Sequence, residues 1–330
     1  MRAAQLLSPC EIEIRETAQP QALAGEVLIQ PHRLGICGSD VSFFLGHRKV
    51  AYPFVLGHEM VGRVAALGEG VRNFSLGQKV IVEPNYPCGK CDFCRSGRGN
   101  ICPHKQSMGV TLQGCFAEYA VAPAEFVWSV PDSISDLDAA SIEPLAVALH
   151  AVLLSGAQIG DTVAVVGCGV VGLLLIHVAA AMGVRVLALD RLPGKLAMAR
   201  ALGAETPAPD GDTARRWLGE RVSTVFECAG AAATVELSLA CAPRGSQVVL
   251  LGLSNSPASF VPLRIIREGI RIETSLIYDH PSDFARAIAL VAAGKLHPAR
   301  VVGETFPLDS IRAAMDLAVK GETGKVQVTV

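Results

Sequence analysis

The sequence lacks an excess of charge of either sign. Its 330 residues contain 29 Lys and Arg against 31 Asp and Glu, so the formal net charge is −2 at pH 7. This near neutrality gives no electrostatic reason to expect a nucleic acid or an anionic membrane as a partner. Only 18% of the residues are charged and 50% are hydrophobic. Such a composition is typical of globular proteins and argues against long disordered segments.

We expect neither an export signal nor a membrane-spanning segment from the apolar stretches of the sequence. Glu11 and Glu13 arrive before any adequate apolar region, so we expect a cytoplasmic protein. Residues 162–184 carry no charge, and a membrane span needs about 20 apolar residues. Glycines cluster near the start of this segment and His177 lies inside it. These features favour a strand, a glycine turn and a buried helix.

Cysteine, in contrast, is abundant, and its spacing favours a metal over disulfides. Cys88, Cys91, Cys94 and Cys102 form the pattern C-x2-C-x2-C-x7-C. Four thiolates at this spacing can surround a tetrahedral Zn²⁺ and leave no position open for chemistry, which predicts a structural zinc site. The metal would stabilise a lobe, residues 86–104, that is too rich in glycine and charge to fold on its own core. Iron is the alternative, although the last gap of the ferredoxin pattern differs.

The pattern of secondary structure changes along the chain. Up to about residue 141 it shows short β-type runs broken by Gly and Pro, which indicate an irregular, mostly β domain. From Asp161 apolar strands alternate with helices, which predicts a doubly wound parallel sheet of the α/β class. The predicted strands of this region and of the C-terminus are Thr162–Val166, Val184–Leu189, Thr224–Glu227, Gln247–Leu251 and Val326–Val330.

A helix is predicted between these two regions. Ser135, followed three positions later by Asp138, resembles a capping box and predicts a helix that runs to Ala151. Pro144 falls inside this span, and proline removes a backbone donor and clashes with the preceding turn. We therefore expect the helix to be broken or kinked at Pro144.

The first βα unit contains a dinucleotide-binding pattern. Gly167, Gly169 and Gly172 form G-x-G-x-x-G after an apolar strand and before an apolar helix. Asp190 ends the next strand, close to the spacing of about 20 residues that the pattern requires. The glycines allow a tight turn and the close approach of a pyrophosphate to the helix N-terminus. The predicted cofactor-binding residues are Gly167, Gly169, Val170, Val171, Gly172, Asp190 and Arg191.

The acidic residue of this pattern predicts which dinucleotide binds. Asp190 would accept hydrogen bonds from the ribose hydroxyls and repel a 2′-phosphate, which favours NAD over NADP. Arg191 weakens that preference, because an arginine can accommodate the phosphate. The alternative is a packing turn between strand and helix, with a solvated Asp190.

Three motifs in order resemble the zinc-containing medium-chain dehydrogenase/reductases, the superfamily of the zinc alcohol dehydrogenases. The first is Gly57-His58-Glu59-x2-Gly62-x5-Gly68-x2-Val71, which fits the zinc signature of that superfamily at every fixed position. The four-cysteine lobe and the glycine turn follow. Ile142-Glu143-Pro144-Leu145 is similar to the branch that contains sorbitol, butanediol and threonine dehydrogenases. The resemblance covers essentially the whole chain.

The resemblance implies a catalytic zinc with an open position. Its ligands would be Cys37, His58, Glu59 and Glu143. Asp40 would orient the histidine, and Ser39 would take the substrate proton. Phe43 and Phe116 would line the substrate pocket, or else are ordinary core aromatics.

The resemblance also implies the domain organisation and the assembly. Residues 142–276 would form a Rossmann domain, inserted into a GroES-like catalytic domain built from residues 1–141 and 277–330. The assembly would be a homodimer or homotetramer in which the strand near Ile270–Leu276 extends the sheet across subunits.

These observations predict a zinc-dependent, NAD-linked alcohol dehydrogenase with two zinc ions per chain, acting on a small secondary alcohol, diol or polyol, or on the corresponding ketone. Two departures from its relatives bear on the substrate and the proton path. Ser42 stands where many relatives carry a histidine, and Leu276–Tyr278 lacks the arginine of polyol dehydrogenases. An apolar pocket would favour short alcohols and vicinal diols over sugars. The alternatives are an NADPH-linked ketone or aldehyde reductase of the same fold and a non-catalytic zinc-binding protein.

Overall fold

The computed structural model describes residues 1–206 and 221–330. The chain divides into two compact units. Unit 1 combines Met1–Glu143 with Asp279–Val330, and unit 2 consists of Pro144–Tyr278. Within the described residues, no helix is long and apolar enough to cross a membrane.

Strands and helices are numbered separately along the described chain. The strands are β1 Arg2–Ser8, β2 Glu11–Glu16, β3 Glu26–Gly35, β4 Phe54–Val55, β5 Glu59–Leu67, β6 Lys79–Val82, β7 Asn85–Tyr86, β8 Gln106–Ser107, β9 Ala120–Pro123, β10 Val127–Ser129, β11 Thr162–Val166, β12 Arg185–Leu189, β13 Thr224–Glu227, β14 Gln247–Leu250, β15 Arg271–Thr274, β16 Val302–Pro307 and β17 Lys325–Thr329. The helices are α1 Gly38–Phe44, α2 Asp92–Arg95, α3 Asp136–Ala139, α4 Ile142–Ser155, α5 Val170–Ala181, α6 Pro193–Ala201, α7 Ala232–Cys241, α8 Pro262–Glu268, α9 Ser282–Ala292 and α10 Ile311–Lys320.

Unit 1 is built around a mixed sheet with the strand order β10-β6-β5-β3-β17-β16, in which β9 also pairs with β3. β17 runs antiparallel to β3, so the C-terminal segment completes a sheet that begins near the N-terminus. Apolar side chains of these strands, among them Val27, Ile29 and Met60, are buried in one core with residues of β1 and α10. The sheet also places Gly35 directly opposite Glu59, at the start of β5.

Unit 2 contains a five-stranded parallel sheet with the order β12-β11-β13-β14-β15. Its central strands are buried along nearly their whole length, as expected for strands covered on both faces. The order reverses between β11 and β13, because the chain adds β12 on one side and β13 on the other. The predicted strands agree with the observed ones to within a residue at either end, and the parallel sheet is confirmed.

The helix predicted between the two regions is broken at a different place. Ser135 accepts a hydrogen bond from the amide of Asp138 at 3.1 Å and caps α3, as predicted. The break falls between α3 and α4, before Pro144, so the predicted break at Pro144 is wrong. Pro144 lies in the first turn of α4, where an amide has no partner within the helix in any case.

Candidate active site

Asp40 connects the two segments that carry the predicted zinc ligands. Cys37 caps α1 in an extended conformation, and its amide donates to the Asp40 carboxylate at 2.8 Å. The amide of Gly57 donates to the other Asp40 oxygen at 3.1 Å. That oxygen lies 3.7 Å from Nδ1 of His58. The buried carboxylate therefore fixes Cys37 and His58 relative to each other and faces the imidazole.

Three potential metal donors converge next to Asp40. One ligand atom each of Cys37, His58 and Glu59 lies within 4.8 Å of the other two. Thiolate, imidazole and carboxylate are the donors that Zn²⁺ takes in proteins, at distances of about 2.0–2.3 Å. Burial opposes a positive charge on His58, but Asp40 and Cys37 outweigh it and raise the pKa of the imidazole. The surroundings thus favour a cation at this point, and the donor set fits zinc.

Glu143 is buried at the start of α4 and lies outside this group of three donors. Burial raises the pKa of its carboxyl to about 7, and the charge of Glu59 adds to the effect while His58 opposes it. The site thus holds one carboxyl that is only partly ionised near neutral pH. A cation bound nearby would favour its ionised form.

Glu59 has a buried counter-charge that the sequence analysis did not find. The ammonium of Lys325, on β17, pairs with the Glu59 carboxylate and also donates to the carbonyl of Ile36 at 3.1 Å. Gly35 makes room for the pair, since a Cβ at Gly35 would lie 2.0 Å from a Glu59 oxygen. Glu59 therefore faces a lysine as well as the other two donors, Cys37 and His58. The sequence signal was weak, because Lys325 precedes the predicted strand Val326–Val330, and a lysine at a strand end usually faces solvent.

Of the predicted proton-accepting and pocket residues, Ser39 and Phe43 lie close to Cys37 in the chain, and Phe116 contacts the residue before His58. Ser39 is partly exposed on α1, two residues after Cys37. Phe43, on the same helix, and Phe116 are buried. The ring of Phe116 packs against the backbone of Gly57, where a Cβ would lie 2.3 Å from it. Phe116 thus supports the peptide that precedes His58.

The four cysteines of the lobe converge in the geometry of a closed metal site. The Sγ atoms of Cys91 and Cys94 are 3.4 Å apart, those of Cys91 and Cys102 are 3.8 Å apart, and those of Cys88 and Cys94 are 4.0 Å apart. A tetrahedron with Zn–S bonds of about 2.3 Å has S···S edges of about 3.8 Å. The lobe therefore presents four sulfurs at the spacing that zinc requires.

The lobe also favours the thiolate form at its first ligand. The backbone amides of Lys90 and Cys91 lower the pKa of Cys88 to about 6. Metals bind thiolates and not thiols, so these amides lower the cost of the proton release that metal binding needs. All ten cysteines of the chain lie in described segments, and all ten are free of disulfides.

The glycine turn of unit 2 has the close contacts that the pattern predicts. Gly167 has φ of 97°, and a Cβ there would lie 2.7 Å from the amide nitrogen of Ala229. A Cβ at Gly172 would lie 2.0 Å from the carbonyl oxygen of Gly167. Gly169, in contrast, is exposed and has open space around it, directly before Val170 of α5. The turn therefore leaves its middle glycine and the start of α5 accessible to a ligand.

Asp190 stands at the end of β12 and faces this turn. Its carboxylate accepts hydrogen bonds from the amides of Cys168 at 2.7 Å and Leu192 at 2.9 Å. Asp190 is only partly buried, and the neighbouring Arg191 is exposed. Lys195 is buried close by, and the charge of Asp190 partly offsets the lowering of the pKa of its ammonium by burial. The acidic residue is thus fixed at the place where the pattern puts the adenosine ribose.

Comparisons with known proteins agree with this arrangement over the whole chain. Residues 23–132 match the alcohol dehydrogenase GroES-like domain family, and residues 170–293 match the zinc-binding dehydrogenase family. A sorbitol dehydrogenase of Bacillus subtilis (strain 168) is 32% identical over 99% of this chain and 97% of its own length.

Two solved structures resemble this chain over its whole length. A zinc-binding dehydrogenase of Sinorhizobium meliloti 1021, bound to NADP, has a TM-score of 0.93 and 31% identity, covering 100% of this chain and 99% of that one. An alcohol dehydrogenase of Escherichia coli CFT073, complexed with NADH, has a TM-score of 0.93 and 29% identity at the same coverage.

The chain belongs to the zinc-containing medium-chain dehydrogenase/reductase family, the zinc-binding alcohol and polyol dehydrogenases. It is an oxidoreductase with a GroES-like domain and a Rossmann-type domain. The predicted family, fold class and dehydrogenase activity are thereby confirmed.

Proposed function

We propose that the protein is an NAD-dependent zinc alcohol dehydrogenase that interconverts small secondary alcohols, including diols and polyols, and ketones. The observation that carries the proposal is the convergence of Cys37, His58 and Glu59 within 4.8 Å. This set offers three protein donors, which is the number that catalytic zinc sites use while one position stays open. The lobe of four cysteines offers a second, closed site, so we propose two zinc ions per chain.

The residues around the donors would have separate roles in alcohol oxidation. A bound zinc would supply a Lewis acid that lowers the pKa of the substrate hydroxyl, and the nicotinamide would accept the hydride. Ser39, two residues after Cys37, would take the hydroxyl proton. Asp40 would hold the His58 imidazole in one orientation. Glu143 or Glu59 would complete the donor set.

We propose NAD as the cofactor because of Asp190. Its carboxylate is held by two backbone amides at the end of β12, so it cannot turn away from a 2′-phosphate without losing them. The charge repulsion would then disfavour NADP. An NADPH-linked reductase is the alternative, because Arg191 can accommodate the phosphate and a similar dehydrogenase was solved with NADP. Comparing the kinetics with the two cofactors distinguishes the alternatives.

We propose that short secondary alcohols and vicinal diols are better substrates than highly hydroxylated sugars. Phe116 packs against the peptide before His58, and Phe43 lies on the helix that carries Ser39. The stretch Leu276–Tyr278 supplies no arginine to bind a chain of hydroxyls. An apolar surrounding gains little from extra hydroxyls and leaves them without partners.

One set of measurements tests the activity. Zinc content and the reduction of NAD and NADP would be measured with 2,3-butanediol and sorbitol for the wild type, Cys37→Ser and His58→Ala. We expect about two zinc ions per chain in the wild type, one in each variant, and lost turnover with unchanged NADH binding. Cys10→Ser is the matched control, because Cys10 is exposed and outside both clusters. Normal turnover in Cys37→Ser would refute the catalytic site, and a higher kcat/KM for sorbitol than for 2,3-butanediol would refute the preference for short alcohols and vicinal diols.

We further propose a cytoplasmic homodimer or homotetramer that associates through β15. Among the described strands β15 pairs only with β14, so its other edge is open. Ile272 on this strand and Ile266 on α8 are exposed, the latter at 77% of its surface. An open strand edge with exposed apolar side chains on it and beside it is the kind of surface that a second copy can cover by extending the sheet.

A further inference from the structure

Unit 2 contains a buried carboxylate close to the glycine turn, and the proposed function does not use it. Glu227 is the last residue of β13 and is completely buried. Its Oε1 accepts hydrogen bonds from the amides of Ala229 and Gly230, both at 3.0 Å, and lies 2.7 Å from the Thr234 hydroxyl. Its Oε2 is buried and has no hydrogen-bond partner among the described residues. A carboxylate in such a place is costly unless these amides compensate it.

Glu227 also holds the loop that follows the next strand. Its main-chain carbonyl accepts from the amides of Leu251 and Gly252 at 2.9 and 3.0 Å. The free Oε2 points at this loop, since a Cβ at Gly252 would lie 2.6 Å from it. The same Cβ would lie 2.1 Å from the amide nitrogen of Gly230. One residue thus sets the distance between the loops after β13 and β14.

The loop after β13 in turn contacts the glycine turn. A Cβ at Gly167 would lie 2.7 Å from the amide nitrogen of Ala229, and one at Gly172 would lie 3.4 Å from Cβ of Cys228. The Ala229 amide, which leaves no space for a side chain at Gly167, is therefore the same amide that donates to Glu227. We therefore expect a shift of Ala229 to displace the first glycine of the cofactor pattern.

These loops follow three neighbouring parallel strands at the point where the strand order reverses. In doubly wound sheets the dinucleotide binds in the crevice that such a reversal opens at the carboxyl ends of the strands. We propose that Glu227 is a positioning residue for the dinucleotide: its carboxylate holds the loop after β13, and through that loop it keeps the loops after β11 and β14 at the spacing that receives the cofactor. The inference rests on the proposed cofactor-dependent function, because it assigns a residue to that same site.

The test separates cofactor affinity from turnover and from stability. NADH binding would be measured by fluorescence titration, and kcat, the KM for NAD and the Tm by standard assays. Glu227→Ala frees two buried amides, so we expect its Kd for NADH and its KM for NAD to rise about tenfold or more. We expect kcat at saturating NAD to stay within roughly threefold of the wild type. Glu227→Gln retains an acceptor for the amides, so it should restore the affinity to within roughly threefold.

A second variant disturbs the contact between Glu227 and the loop after β14 without changing Glu227 itself. Gly252→Ala leaves Glu227 intact and pushes a methyl between Gly230 and the carboxylate. The φ of Gly252 is not in the left-handed region, so an added methyl group there acts only through its contacts with neighbouring atoms. We expect the same loss of NADH affinity as in Glu227→Ala, and this variant keeps the proposal testable if Glu227→Ala does not fold. Ser238→Ala removes a buried hydroxyl of the same unit that has no hydrogen-bond partner among the residues that the structure describes, and it should leave Kd, KM and kcat unchanged.

The outcomes distinguish this inference from the proposed function. A wild type that binds neither NADH nor NADPH would refute the proposed function. A wild type that binds NADH, with folded Glu227→Ala and Gly252→Ala variants of unchanged Kd, would overturn the positioning role alone. A lower Tm without a change in Kd would likewise show that Glu227 acts only on stability.

Discussion

Replacing Lys325 by Met should strongly destabilise unit 1. The change keeps most of the side-chain volume and removes the ammonium that pairs with Glu59. Lys325 is 1% exposed and Glu59 is fully buried, so water cannot replace the lost charge. Removal of one partner from a buried ion pair costs about 3–5 kcal/mol, because the other charge stays buried without compensation. We expect a loss of unfolding free energy in that range.

Urea denaturation of wild type and variants, followed by circular dichroism, measures this loss. Lys79→Met is the matched control, because Lys79 is also buried but its partner Asp136 is 39% exposed. Water can solvate Asp136 after the change, so we expect a loss of only about 1 kcal/mol. The double variant Lys325→Met/Glu59→Gln removes both charges of the pair and should recover at least half of the loss. Equal losses in the two lysine variants, or an additive double variant, would refute the reasoning.

Three further predictions concern other parts of the chain. Cys94→Ser should lower the zinc content by about one ion per chain and destabilise the protein, as metal analysis and urea denaturation would show. Glu83 accepts a hydrogen bond from His280 and raises the pKa of that imidazole. The stability that His280 adds relative to His280→Asn should be largest below pH of about 6.5 and decline as the pH rises through the raised pKa, as urea midpoints across pH would show. Ile272→Lys should shift the protein to a smaller species in light scattering, with unit 2 still folded.

Much of the fold and the clustering of the four lobe cysteines could be predicted because these signals are local in the sequence. The strands of unit 2 are short apolar runs, and G-x-G-x-x-G directly precedes α5. The cysteines of the lobe follow each other within one short segment. Ser135 was recognised as a cap because its partner Asp138 is three residues away. The break between α3 and α4 was misplaced, because proline is tolerated in a first turn and the sequence does not show where that turn begins.

The groups that balance the buried charges could not be predicted, because they are remote in the sequence. Lys325 is 266 positions from Glu59, and His280 is 197 positions from Glu83. Only the sheet pairing of β17 with β3, and of β3 with β5, brings Lys325 beside the predicted zinc ligand. In a strand that is buried on both faces, alternation of polar and apolar residues no longer indicates which side chains face solvent.

Glu227 shows the same limit within a single unit. Its sequence neighbours Thr224, Val225 and Phe226 indicate only a buried strand. A carboxylate at the end of such a strand is compatible with solvent, with a ligand or with backbone amides. The choice is made by the reversal of strand order, which brings the loops after β11 and β14 against the loop after β13 that this carboxylate holds. Sequence motifs therefore predict the residues that would contact zinc and the dinucleotide, whereas the residues that position these binding residues can be found only from the topology of the fold.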